Sequence, residues 1–128
     1  MIRDGWAPDR RRADRRVVSF PLQVLVENGG DPMRVRELGT GGMVLEATRP
    51  LVSGGSLVFR LGSAGDTISP MRGRVAHSRL LLPTRIGEPP SYLVGVTFEH
   101  VTADHDAHIA RLLATIDERR AGRSQDNS

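Results

Sequence analysis

The chain has 128 residues, 38% of them apolar, with 18 basic and 15 acidic side chains and a net charge of +3. That length fits one compact domain with frayed ends, and the lack of any cysteine excludes disulfides, thiolate nucleophiles and cysteine-based zinc sites. No apolar run approaches the roughly 18–20 residues needed to span a bilayer, and residues 1–6 lack the apolar core of a secretory signal. A reducing, cytoplasmic setting is therefore expected. Every basic side chain is Arg, which offers a planar fork of donors and a stacking face that Lys lacks. The arginines cluster at the start, where residues 1–16 hold six Arg against three Asp.

In chain order, residues 1–16 read as a flexible Arg-rich arm. The domain itself is expected over 17–120, and a disordered tail over 121–128. From Val17 the pattern alternates. Val18, Phe20, Leu22, Val24 and Val26 recur at period two, as on a half-buried strand. Pro21 signals an edge or a bulge within it. Asn28-Gly29-Gly30-Asp31 is a hairpin turn signal. Met33 and Val35 then alternate with Arg34 and Arg36 in a second strand. A glycine turn at 39–42 follows, and Met43-Val44-Leu45 resumes the sheet. Leu57, Phe59 and Leu61 share one face of the next strand, and residues 62–66 form another turn.

Gly73-Arg74-Val75-Ala76-His77 lies in a further strand. Residues 83–91 form a long loop, and Tyr92, Val94, Val96 and Phe98 mark the last strand. Short strands separated by turns predict a small antiparallel barrel. The chain then changes period. Ile109, Leu112, Leu113 and Ile116 follow helical spacing, with Thr102 or Asp104 as the cap. The fold expected is mainly β: a closed antiparallel barrel with one C-terminal α-helix packed on it.

Two clusters stand out as candidate binding groups. Residues 10–16 read Arg-Arg-Arg-Ala-Asp-Arg-Arg, and residues 37–42 read Glu-Leu-Gly-Thr-Gly-Gly. An arginine arm facing a tight turn suits a guanine-containing, doubly phosphorylated ligand. Guanine offers O6 and N7 as paired acceptors for a guanidinium, and the same group pairs with phosphate. The plainer reading makes the arm a solvated basic face and the glycines turn residues that supply φ > 0. Catalytic and metal chemistry find no support. His105 and His108 lack a third ligand, His77 and His100 stand alone, and no nucleophile elbow or Walker loop occurs. No enzyme activity, no metal and no cofactor are expected.

The order of these elements resembles the PilZ domain family, bacterial receptor modules for cyclic di-GMP. The resemblance rests on RxxxR before the first strand and the Gly-Gly turn before Met43-Val44-Leu45. It also rests on Gly73-Arg74-Val75 and on Val94-Gly95-Val96-Thr97-Phe98. It implies a six-stranded antiparallel β-barrel with a C-terminal helix. It also implies ligand-binding arginines in one of two registers, Arg11/Arg15 or Arg12/Arg16. The second is preferred because Arg16 directly precedes the strand at Val17. The family's second motif, [D/N]xSxxG, falls here on Glu37, Gly39 and Gly42. Glu37 keeps a carboxylate one methylene longer, Gly39 lacks the serine hydroxyl, and Thr40 stands close enough to substitute for it.

The resemblance implies a cyclic di-GMP-responsive regulator that acts through an unidentified protein partner. The alternative is a PilZ-like adaptor in motility, pilus or envelope-related regulation that has lost the nucleotide. The low aromatic content and small net charge argue against nucleic-acid binding.

Overall fold

The structure, a computed structural model, describes residues 15–27, 30–62 and 70–126. Its strands are β1 (Arg16–Val17), β2 (Gln23–Val26), β3 (Met33–Leu38), β4 (Gly42–Ala47), β5 (Ser56–Gly62), β6 (Met71–Leu81) and β7 (Ser91–Glu99). One helix, α1 (Ala103–Asp126), follows. All strand pairs are antiparallel. The ring β2–β3–β4–β7–β6–β5 closes where β5 returns to β2, with β1 as an additional strand on β3. The mainly β, six-stranded barrel with a C-terminal helix expected from the sequence is the architecture found. Closure leaves few strand edges exposed to solvent.

The first alternating run is not one continuous strand. Its inward residues Val18, Phe20, Leu22 and Val24 are all buried, as the periodicity requires. The ladder, however, breaks between Val17 and Gln23 around Pro21, which has no N–H to donate. Both halves pair along β3. β1 sits opposite Glu37 and Leu38, and β2 opposite Met33 and Arg34. The break is bridged by Val18 N–H donating to Arg36 O (2.9 Å) and Val35 N–H donating to Leu22 O (2.8 Å). Arg16 thus belongs to the sheet rather than to the arm.

One aliphatic core fills the barrel, centred on Leu22, Val35, Leu38, Met43, Leu45, Phe59, Leu61 and Val94. β4 is its most enclosed strand, with five of its six residues buried. The helix adds Ile109, Leu112, Leu113 and Ile116 to the same core, the stripe that helical spacing predicts. Thr102 is the cap: His105 N–H donates to Thr102 Oγ1 (3.1 Å), and Thr102 N–H donates to His105 Nδ1 (3.3 Å). This reciprocal pair satisfies two amide donors at the helix start.

Three further contacts fix the helix on the barrel. The buried His108 Nε2 lies 3.0 Å from Leu61 O, the Arg119 guanidinium stacks 4.7 Å above the Phe20 ring, and Arg16 Nε donates to Asp117 (3.2 Å). The helix therefore lies across β1, the β1–β2 joint and the end of β5. It runs to Asp126, into the segment 121–128 that reads as a tail in the sequence. The turns expected at Asn28-Gly29 and at 63–66 fall outside the described residues, while Gly30 has the positive φ (+101°) such a turn uses.

Candidate functional site

Strand alternation sends Arg15 and Arg16 to opposite faces of the sheet. Arg16 pairs in register with Leu38 and reaches the helix at Asp117. Arg15 lies against Gly39 on the outer face. A Cβ built on Gly39 would lie 3.1 Å from Arg15 Cγ and 3.5 Å from its Cα. The first arginine strand is thus laid directly on the glycine turn, and the side chain that Gly39 lacks leaves the space Arg15 uses. Arg11 and Arg12 lie outside the described residues.

The turn is held by Gly39 N–H donating to Gly42 O (2.9 Å), and Gly41 O accepts from Phe98 N–H (3.0 Å). Neither Gly39 nor Gly42 has a left-handed φ. Glycine is required at 42 by space: a Cβ there would collide with the Val96 carbonyl oxygen on β7. Thr40 is exposed at the turn, and its side chain does not line the groove described next.

That groove, of about 360 Å³, lies on the outer face of the barrel and is lined by Arg15, Glu37, Val44, His77, Arg79 and Leu93. Its geometry follows from the register. Glu37 is opposite Val44, Val44 opposite Gly95, and Gly95 opposite His77, so four strands contribute one cross-strand row. Arg79 opposite Leu93 forms a neighbouring row. Val44 faces outward yet is only 9% exposed, because the groove walls cover it.

Two irregularities build the row. The β3–β4 register shifts between Val35 and Glu37, and the β6–β7 register shifts between Val75 and His77. Val35 and Val75 both point into the core. In an unbroken strand, residues two apart share a face, so Glu37 and His77 would also point inward. One extra residue in each strand, Arg36 and Ala76, turns them outward instead. His77 then settles over Gly95. A Cβ on Gly95 would lie 2.8 Å from each ring nitrogen, inside the space the imidazole fills.

The site is electrostatically mixed. Two guanidiniums (Arg15, Arg79), one carboxylate (Glu37) and one imidazole (His77) surround an aliphatic floor of Val44 and Leu93. None of these four polar side chains makes a hydrogen bond or ion pair among the described residues. Other outward arginines are engaged: Arg36 with Glu46, and Arg74 with Glu99 and Gly54 O. Unpaired donors and acceptors around a floor from which water is partly excluded suit a ligand that carries both kinds of group. No group of His, Asp and Glu among the described residues is arranged to hold a metal ion.

No family model and no curated protein matches this sequence. Solved structures do match its fold. The PilZ domain of YcgR from Escherichia coli, solved with c-di-GMP, superposes with a TM-score of 0.65 at 15% identity, over 89% of this chain and 95% of that one. The chain has the PilZ fold. MrkH of K. pneumonia in its apo state superposes with a TM-score of 0.70 at 15% identity, over 85% of this chain and 50% of MrkH. YcgR in complex with c-di-GMP gives 0.68 at 12% identity, over 89% of this chain and 49% of that one. The chain thus spans about half the length of MrkH.

On this PilZ barrel, β1 brings Arg15 of the arginine cluster to Glu37 and Gly39 of the turn, and it places Arg16 with the helix. Sequence reasoning missed Val44, His77, Arg79 and Leu93. Their proximity depends on cross-strand register and on a bulge, neither of which leaves a local pattern. The one available signal was Gly95 between two core valines, which marks a close approach in a strand.

Proposed function

We propose that this PilZ-fold chain is a receptor for cyclic di-GMP, bound in the groove between Arg15 and Glu37. The observation that carries the reading is Arg15 packed on Gly39 with Glu37 beside it. The Arg15 fork suits guanine O6 and N7 or a phosphate. The Glu37 carboxylate suits the N1–H and N2–H donors of a guanine edge. This geometry favours the Arg11/Arg15 register for ligand contact, and it leaves Arg16 to tie β1 to the helix. The solved YcgR and MrkH complexes contain c-di-GMP, and the shared fold supports the same ligand class here.

The signal is passed to a protein partner. Arg15 and Arg16 are consecutive, and they engage the groove and Asp117 from opposite faces. Ligand capture at Arg15 is thereby felt at the α1 contact. The anionic dinucleotide also neutralises the guanidinium charge that Arg15 brings to the turn. The barrel and helix surface presented in that state is what the partner reads.

The second reading is an adaptor that binds no nucleotide. It is favoured by Gly39, where the family motif carries a serine hydroxyl and this chain instead packs the Arg15 stem. Backbone amide mapping separates the two. With cyclic di-GMP, the receptor reading expects resonance shifts at Glu37, Gly39 and Gly95 and none at Gly54 or Gly87. An unperturbed spectrum at saturating nucleotide supports the adaptor.

A further inference from the structure

We propose that the open edge of β6, from Ser78 to Leu82, pairs antiparallel with the same edge of a second copy of this chain, about a two-fold axis at Leu80. The inference goes beyond the ligand reading and does not depend on it.

The barrel closes unevenly. β6 runs for 11 residues, but β5 pairs only with Met71, Arg72, Gly73 and Arg74. The turn before β5 covers one residue more: Val75 N–H donates to Gly55 O (2.8 Å), and Gly54 N–H donates to Val75 O (2.7 Å). Beyond that point β6 pairs only with β7 among the described residues. The direction of the uncovered groups follows from β7. Phe98 N–H donates to Gly41 O, on the β4 side, and alternation sends the amides and carbonyls of Val96, Val94 and Tyr92 the same way. Their β6 partners are Val75, Ser78 and Leu80, which therefore turn their own N–H and C=O away from β7. Val75 does so, as its bonds to Gly54 and Gly55 show. Ser78 and Leu80 present the same groups to an open edge, and such an edge is a template for another strand.

The side chains select which strand. Leu80 is 49% exposed and Leu82 72% exposed. Two apart, they share one side of the strand, opposite the side of His77 and Arg79. Pairing two identical edges leaves few registers. An axis at Arg79 sets like charges directly opposite each other, which is unfavourable. An axis at Ser78 leaves Leu82 in water. An axis at Leu81 carries Ser78 past Pro83, where the strand has ended. An axis at Leu80 uses the edge groups of both Ser78 and Leu80. It sets Leu80 against its own copy and Leu82 against Ser78 of the other chain, so the exposed leucines of both copies form one cluster. Pro83, with no N–H to donate, ends the ladder. The contact is isologous and closes at two copies.

The test is sedimentation velocity on the full chain over a concentration series, without nucleotide. A contact this small should associate weakly, with a dissociation constant of about 100 μM. Leu80→Lys puts two like charges on the axis and should weaken association by about ten-fold or more. Leu25→Lys, at an equally exposed leucine of β2, should leave it unchanged. Disulfides test the register, because the chain has no cysteine of its own. Paired Cα atoms about 5.5 Å apart lie within disulfide reach. Mild oxidation of Leu80→Cys should cross-link two copies. Leu82→Cys should not cross-link alone but should do so when mixed with Ser78→Cys. Amide exchange on the parent needs no variant: rising concentration should slow exchange at Ser78 and Leu80 and leave Arg79, whose amide faces β7, unchanged. A parent that stays monomeric, with those two amides unaltered, overturns the proposal. So does association that survives Leu80→Lys, or Leu25→Cys cross-linking as fast as Leu80→Cys, since the copies then meet elsewhere. Ready cross-linking of Leu82→Cys by itself overturns the axis at Leu80.

Discussion

Glu37 on β3 and His77 on β6 stand at opposite ends of one cross-strand row, with Val44 and Gly95 between them, and each follows a register shift in its strand. Two bulges in strands that do not pair with each other thus produce one surface feature. Each turns outward a polar side chain that strict alternation would bury. A buried carboxylate at 37 or imidazole at 77 would need a partner inside an aliphatic core. On the outside, both are available to a ligand.

Deleting a bulge residue tests that relationship. Removal of Ala76 should restore alternation in β6 and drive His77 toward the core. A destabilisation of about 2 kcal/mol or more in urea unfolding is expected, since an unpaired polar group is then buried. Unchanged stability with His77 still at Gly95 would show that the bulge does not set its direction.

Gly42 carries a structural duty separate from any ligand. A side chain there meets the Val96 carbonyl on the neighbouring strand, so Gly42→Ala must push β4 from β7. The expected cost is about 1–3 kcal/mol, as for other overpacking substitutions, read as a lowered urea midpoint. Gly54→Ala provides the contrast. No atom lies near its Cβ position, and the whole effect there comes from its φ of +84°.

Gly39→Ser supplies the hydroxyl of the PilZ motif where Arg15 meets the turn. The new Cβ meets the flexible Arg15 stem at 3.1 Å rather than rigid backbone, so a shift of a few tenths of an ångström accommodates it. One added hydrogen bond should tighten cyclic di-GMP binding by about three- to ten-fold, measured by calorimetry. Weaker binding would mean that Arg15 must sit where it does.

The helix depends on its first turn and on His108. Thr102→Ala removes the acceptor for His105 N–H and should cost about 1 kcal/mol. His108→Ala should cost more, about 3 kcal/mol, because it opens a cavity and leaves Leu61 O without its partner. Both are measured as shifts of the urea midpoint, and a larger loss for Thr102→Ala would contradict the order.

The barrel was legible because its strands alternate cleanly: Val24, Val35, Leu45, Phe59, Val75 and Val94 are buried as the periodicity says. The helix was equally legible from Ile109, Leu112, Leu113 and Ile116. One half of the groove could be read because its residues are close in sequence to two motifs: Arg15 near β1, and Glu37 and Gly39 in the turn. The other half could not. His77 and Arg79 come near Glu37 only through the β4–β7–β6 pairing, and pairing partners are set by packing across the whole sheet. The division between Arg15 and Arg16 was also hidden. It depends on which face of β1 the helix occupies, and nothing in the sequence points to the contact between Arg16 and Asp117.

Calorimetric titration of cyclic di-GMP into the parent chain and into Arg15→Ala tests the central claim most directly. The account predicts saturable binding by the parent and a loss of about ten-fold or more in affinity for Arg15→Ala, with the fold intact. A folded parent that shows no binding up to about 100 μM, a free energy near 5–6 kcal/mol, would contradict it.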